Sequence, residues 1–143
     1  MNCVVVGDKG QLIGRNYDGY GFIASLYEGA PDWKAADAPC VVIGAGGGSR
    51  AIISGLIDAG AKEIRLFNRS IERAQTLAAD FGAPVRAFAW EERHDALAGA
   101  GLVVNATSQG MVGQKPLDLS LAALPKSALV ADIVYAPLET PLL

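Results

Sequence analysis

The amino-acid sequence predicts an α/β protein built on a doubly wound parallel sheet, and three observations predict it. The apolar run Cys40, Val41, Val42, Ile43 breaks into four glycines within five positions and passes at once into helical spacing at Ala51, Ile52, Leu56 and Ile57. That order reads strand, tight turn, helix. A second apolar strand, residues 64–67, follows at the distance a βαβ unit requires. Apolar strands and amphipathic helices then alternate to the end of the chain between Gly, Pro and polar punctuation, with no internal repeat and no low-complexity tract.

Before this core, residues 2–7 read as a strand centred on Val4, Val5 and Val6; Asp8, Lys9 and Gly10 form a turn, and residues 11–14 pair back as a hairpin. A helix follows, carrying Phe22, Ile23 and Leu26 on one face, with Asp18 in the position of a helix N-cap. Two prolines and two aspartates mark residues 29–39 as a surface connection. After the βαβ unit, Ala74, Leu77, Ala78 and Phe81 share one helix face over residues 71–81, and Gly82 stops the helix. Residues 85–88 are a third strand. Residues 91–98 form a short helix whose His94, among Glu92, Arg93 and Asp95, marks a solvated face rather than a general base with a cleft and a partner. Residues 102–104 are a fourth strand and 129–134 the last, and helices are expected on both faces of the sheet.

The glycine turn carries chemistry. Gly44, Gly46 and Ser49 form a G-x-G-x-x-small variant of the dinucleotide-binding fingerprint: the first glycine turns the chain, the second lets backbone approach a pyrophosphate, and the third, small residue lets helix and strand pack closely. Helix N–H groups and the positive end of the helix dipole then face phosphates. The bland reading is a glycine-rich turn that binds nothing. At the end of the second strand an NAD site places Asp or Glu against the ribose 2′-hydroxyl, whereas this chain offers Asn68, Arg69 and Ser70, with Arg73 one turn on. Guanidiniums suit a 2′-phosphate, so NADP is the expected cofactor. The fourth strand runs into Asn105, Ala106, Thr107, Ser108, Gln109, Gly110 and Met111, either a polar turn or part of the crevice at the carboxyl ends of the sheet.

Composition bounds the partners. The chain has 143 residues, the size of one ordinary domain, and carries 12 Lys and Arg against 15 Asp and Glu, a net charge of −3. No nucleic acid or membrane partner is expected from so mild a balance, and no metal. Cys3 and Cys40 lie in apolar strand-like runs as reduced, buried thiols; a disulfide between them is allowed and not needed. No signal-length apolar segment and no membrane-length run is present, so a soluble cytoplasmic protein is expected.

Taken together, the motifs resemble the nucleotide-binding part of the shikimate dehydrogenase family. Asn16-Tyr17-Asp18-Gly19 is similar to its N-T-D-G, residues 44–50 to its GAGGAAR, Asn68-Arg69-Ser70 to its N-R-T, and residues 105–111 to its NATS-x-GM. Asp132, Tyr135, Pro137, Thr140, Pro141 and Leu142 match its D-x-x-Y-x-P-x-x-T-P-L ending. The resemblance implies a Rossmann-type NADP-binding domain over residues 18–143, with residues 1–17 as the end of a substrate domain. It further implies that Asp18 is catalytic and binds substrate beside a lysine, with Asn2 and Tyr135 binding substrate in the same cleft. Gly44, Ala45, Gly46, Gly47, Gly48, Ser49 and Arg50 would hold the pyrophosphate; Asn68, Arg69, Ser70 and Arg73 the 2′-phosphate; and Asn105, Ala106, Thr107, Ser108 and Ile133 the nicotinamide side. The departures are Tyr17 for threonine, and Gly48 with Ser49 for two alanines.

The implied activity is reversible, NADP-dependent reduction of 3-dehydroshikimate to shikimate, a small-molecule substrate. The family's substrate lobe is largely missing, and none of Lys9, Lys34, Lys62, Lys115 or Lys126 lies in a motif matching its lysine. The chain therefore reads as a fragment that binds NADP and turns over poorly without the missing lobe of the same polypeptide. Association through uncovered apolar surface is expected. Two other readings stand beside it: a non-catalytic NADP-binding module in which Asp18 is only a cap, and a dehydrogenase of another hydroxy acid such as quinate, to which Tyr17 points.

Overall fold

The computed structural model of the chain describes residues 2–143. A two-stranded antiparallel hairpin, β1 (Cys3–Val6) and β2 (Leu12–Arg15), comes first and pairs only with itself; α1 (Asp18–Gly29) follows. The main sheet has five parallel strands: β3 (Cys40–Ile43), β4 (Ile64–Phe67), β5 (Val85–Phe88), β6 (Leu102–Asn105) and β7 (Leu129–Asp132). Helix α2 (Gly47–Asp58) joins β3 to β4, and α3 (Ile71–Phe81) joins β4 to β5. The strand order β5-β4-β3-β6-β7 bears out the doubly wound reading. From β3 the chain builds outward in one direction and then crosses back to build in the other, so the carboxyl ends of β3 and β6 flank the point where the order reverses.

Strand alternation divides the core in two. Cys40, Val42, Ile64, Leu66, Leu102 and Val104 point to one face, where Ile52, Ile53 and Leu56 of α2 and Ala74 and Leu77 of α3 close over them. Val41, Ile43, Phe67 and Val103 point to the other, against Leu97 and Ala100. This second face differs from expectation. Among the described residues it carries no α-helix; two 3₁₀ turns, Trp90–Arg93 and Asp95–Leu97, share it with an extended segment whose Leu117, Leu119, Leu121 and Leu124 pack onto the sheet. The reason is in the spacing: Leu117, Leu119 and Leu121, two apart in a segment bracketed by Pro116 and Pro125, fit an extended chain lying along the sheet, not a helix.

Arg93 corrects the expectation of a solvated face. It is buried, stacked 4.5 Å over the Trp90 ring, with Nε donating to the Asp118 carbonyl at 2.7 Å, Nη1 to the Trp90 carbonyl at 2.9 Å, and Nη2 to the Asp118 carboxylate. It ties the 3₁₀ turns to the extended segment. His94 is likewise structural, its Nδ1 accepting from the Ser120 backbone N–H at 3.0 Å.

On the helical face α1 and α2 touch backbone to backbone. A Cβ on Gly19 would stand 2.5 Å from the Ala51 carbonyl oxygen, and one on Gly55 2.8 Å from that of Gly19. Any larger residue forces the helices apart.

Cys3 and Cys40 are free thiols in separate sheets. Burial pushes the Cys40 thiol up from its ordinary 9.0 to about 12. A raised folded value means that the unfolded chain ionises first: the thiol's contribution is complete below pH 9 and is lost as pH climbs toward 12, at roughly 1.4 kcal/mol per pH unit. Denaturant unfolding at pH 8 and pH 10 should therefore show the parent chain losing about 1.4 kcal/mol more than Cys40→Ala; equal losses would contradict it. Among the described residues no helix is long and apolar enough to cross a membrane.

Candidate functional site

The site begins where three strands end side by side. Gly44 N–H donates to the Phe67 carbonyl at 2.7 Å and Ala106 N–H to the Ile43 carbonyl at 2.8 Å, which stitches the ends of β3, β4 and β6 together. Gly44 has φ +112°, and a Cβ there would lie 2.8 Å from the Ala106 carbonyl oxygen. Only glycine meets both conditions. Gly46 is the N-cap of α2, and its N–H donates to Ser49 Oγ at 3.3 Å. Ser49 is fully buried, as the packing argument requires, and its hydroxyl adds a capping bond. Around Gly46 and Gly47 a side chain would meet open space, so the first turn of α2, with its unpartnered N–H groups, is accessible to a phosphate.

Two depressions flank this turn. One is the crevice at the strand ends, lined by Gly44, Ala45, Gly46, Asn68, Arg69 and Trp90 on one side and Ala106, Thr107, Ser108 and Gln109 on the other. The second, between the first turns of α2 and α3, is lined by Ala45, Gly46, Gly47, Arg50, Glu72 and Arg73. Arg69 and Arg73 are exposed, border the two depressions, and take no part in the ion pairs found among the described residues. A larger hollow between α1 and α2 is an uncovered helix face rimmed by Tyr20, which is 77% exposed.

The polar residues around the arginines are already engaged. Asn68 Nδ2 donates to the Ser70 carbonyl at 2.9 Å and closes the turn after β4. Ser70 is the N-cap of α3: its Oγ accepts from Arg73 N–H at 3.4 Å and donates to Glu72 Oε2 at 2.7 Å. The Ser70 hydroxyl, and then the Glu72 backbone N–H, hold the Glu72 carboxyl below the usual carboxylate range. Glu72 escaped the sequence reading because it lies beyond the position where an NAD site keeps its acid. Arg50 borders the second depression and is also engaged elsewhere. Its Nη2 pairs with Asp80 Oδ2 at 2.6 Å and its guanidinium lies 5.8 Å over the Phe81 ring, so the side chain braces α2 against the end of α3.

Asn105 departs from its expected role. It is fully buried: Nδ2 donates to the Gln109 carbonyl at 2.9 Å and to Asp132 Oδ1 at 3.0 Å, while Oδ1 accepts from Thr107 N–H at 3.1 Å and Thr107 Oγ1 at 2.7 Å. It shapes the crevice wall without lining it. Gln109 lines the crevice, as the polar segment after the fourth strand led one to expect; Trp90 lines it too and was not anticipated, standing two residues past β5. Ile133 is 38% exposed and lies against α2, its Cδ1 3.0 Å from where a Gly48 Cβ would be.

At the start of α1 the structure corrects one reading of Asp18. The N-cap is Tyr17, not Asp18, and no side chain caps the helix there. Asp18 N–H is satisfied by Asn16 Oδ1 at 2.9 Å. The Asp18 carboxylate instead accepts from Asn2 Nδ2 at 2.6 Å, and Asn2 Oδ1 accepts from Tyr17 N–H at 3.0 Å. Asn2 and Asp18, sixteen residues apart, are thus brought into direct contact. Tyr17 turns its hydroxyl to Arg15 Nη1 at 3.0 Å. Tyr135, after β7, is 81% exposed. No lysine pairs with Asp18 among the described residues.

A parallel sheet with a reversal of strand order, a glycine turn into a helix at that reversal, and free guanidiniums beside it define a dinucleotide-binding α/β domain. Residues 29–135 match the family profile described as shikimate / quinate 5-dehydrogenase, and the chain belongs to that family. It is 54% identical over 143 residues to the shikimate dehydrogenase (NADP(+)) of Paramagnetospirillum magneticum, covering all of this chain and 52% of that protein. It is 50% identical over 147 residues to the protein of the same name from Rhodospirillum rubrum, again with 100% and 52% covered. Among solved structures, quinate dehydrogenase from Corynebacterium glutamicum in complex with NAD superposes with a TM-score of 0.85 at 33% identity, over 97% of this chain and 50% of that one. Shikimate 5-dehydrogenase from Thermus thermophilus in complex with NADP(H) and shikimate gives 0.74 at 34% identity, over 94% and 47%. The chain spans about half the length of the curated relatives it matches.

Proposed function

We propose that this chain is the cofactor-binding half of a cytoplasmic, NADP-dependent shikimate dehydrogenase that interconverts 3-dehydroshikimate and shikimate. The observation that carries the cofactor assignment is the pair Arg69 and Arg73, exposed beside the glycine turn and outside every ion pair found among the described residues. In this reading the open first turn of α2 takes the pyrophosphate on backbone N–H groups, and the two guanidiniums take the 2′-phosphate. Asn68, Ser70, Asn105 and Arg50 act by fixing the backbone that presents these groups. The bound cofactor supplies a hydride acceptor. Asp18, oriented by Asn2, receives or shares the proton of the substrate hydroxyl with a lysine from the other half of the polypeptide, with Tyr135 lining the same cleft. Residues 1–17 belong to that substrate lobe and residues 18–143 to the NADP-binding domain.

The hairpin supports the missing half. Val4 is 54%, Val6 67% and Leu12 74% exposed, on a two-stranded sheet that is marginal without a cover. The non-catalytic reading loses support, because Asp18 is not the N-cap it required. Quinate remains the second reading: the superposition on a quinate dehydrogenase and Tyr17 at the threonine position both favour it. Titration of the chain with NADP and NAD in parallel tests the cofactor assignment. Charge-assisted bonds to the 2′-phosphate should favour NADP by roughly tenfold to a hundredfold, and Arg73→Ala should erase most of the difference. Equal affinities would remove the cofactor assignment.

A further inference from the structure

We infer that Glu72 is a specificity-determining residue that works against the 2′-phosphate, holding the preference for NADP below what Arg69 and Arg73 alone would give; this rests on the nucleotide reading above. Three observations converge on it. Glu72 borders the same depression as Arg73, Gly46 and Gly47, so its charge faces the volume in which a phosphorylated ribose would sit. Its Oε2 accepts the Ser70 hydroxyl proton at 2.7 Å while Ser70 Oγ accepts from Arg73 N–H, so the one donor hydrogen of that hydroxyl is committed. A 2′-phosphate arriving beside α3 must either forgo the Ser70 donor or displace the carboxylate from it. Finally, Glu72 forms none of the ion pairs found among the described residues, so no cation neutralises it there.

The sign follows from charge. A 2′-phosphate carries close to two negative charges at neutral pH, and a carboxylate on the rim of the same depression repels it, whereas an unphosphorylated ribose hydroxyl meets no such repulsion and can itself donate to the acid. Glu72 also sits in the first turn of α3, where a negative charge is favourable for the helix. The residue thus stabilises the helix that presents Arg73 while weakening the binding of the ligand Arg73 attracts.

The test uses the chain as it stands, with adenosine 2′,5′-bisphosphate and adenosine 5′-monophosphate as calorimetric probes. Glu72→Gln keeps the size and an acceptor for Ser70 while removing the charge. It should tighten the bisphosphate about threefold to tenfold, leave the monophosphate within about twofold, and show a gain that shrinks as salt is raised from roughly 50 to 500 mM. Glu72→Lys should carry the gain past about tenfold. Unchanged or weaker bisphosphate binding in both variants overturns the inference while leaving the nucleotide reading intact. A parent chain that does not distinguish the two probes overturns that reading, and this inference with it.

Discussion

A full-length protein carrying Asp18→Asn is expected to lose roughly a hundredfold to ten-thousandfold of its kcat for shikimate oxidation with NADP, while melting within roughly 3 °C of the parent. The two halves of this expectation come from separate observations. Tyr17 is the N-cap, and Asn16 Oδ1 satisfies the Asp18 N–H, so α1 does not depend on the Asp18 carboxylate for its start. What the substitution removes structurally is a negative charge in the first helical turn, worth about 0.3–1 kcal/mol. The amide oxygen of asparagine can still accept from Asn2 Nδ2, so the local geometry persists. What it removes chemically, in the proposed reading, is the ionisable group that takes the proton of the substrate hydroxyl. Steady-state rates and a thermal melt on the same preparation decide it. Undiminished kcat would leave Asp18 without a chemical role and return the protein to the class of nucleotide-binding modules.

Gly44→Ala is expected to cost roughly 3–4 kcal/mol and to lower the melting temperature of this chain by roughly 10 °C, with NADP binding lost as well. At φ +112° an alanine pays a conformational penalty of about 1–2 kcal/mol. Its methyl would also lie 2.8 Å from the Ala106 carbonyl oxygen and 3.0 Å from Thr107 Cγ2, so the ends of β3 and β6 must separate, a further overpacking cost of about 1–3 kcal/mol. The atoms that would move are the two walls of the crevice, which is why affinity should fall together with stability. Gly47→Ala is the matched control: nothing lies within 4 Å of a Cβ there, and stability should change by less than about 1 kcal/mol. Equal stability of Gly44→Ala and Gly47→Ala would show that the stitching of β3 to β6 is not what holds the crevice.

The parts of this molecule that were legible in the sequence are those encoded by neighbours along the chain. Ile71–Phe81 emerges at its expected bounds because its apolar spacing and its Gly82 stop both lie within twelve residues. The glycine turn is legible for the same reason. What was not legible depends on partners far away in sequence. Arg93 reads as a surface charge until Asp118, 25 residues on, is seen to receive it. Asn105 reads as a crevice residue until the register of β6 against β7 brings Asp132 opposite, where it absorbs the Asn105 amide. The sequence shows no sign that Arg50 also pairs with Asp80, 30 residues away, where α2 packs on α3. At Asp18 a local rule suggested a cap, and a hydrogen bond from sixteen residues earlier took the carboxylate instead.

The backbone contact between α1 and α2 has a mechanical consequence. With Gly19 and Gly55 leaving no room for side chains between them, α1 cannot slide or tilt on the nucleotide domain without its peptide groups colliding with those of α2. It is therefore packed as part of that domain, although in chain order it follows the hairpin directly. Within this chain, the two residues Asn16 and Tyr17, between the end of β2 and the start of α1, are the pivot available to a swing of the hairpin against the nucleotide side. The bond from Asn2 to Asp18 spans that pivot, so such a swing would be felt first at the carboxylate.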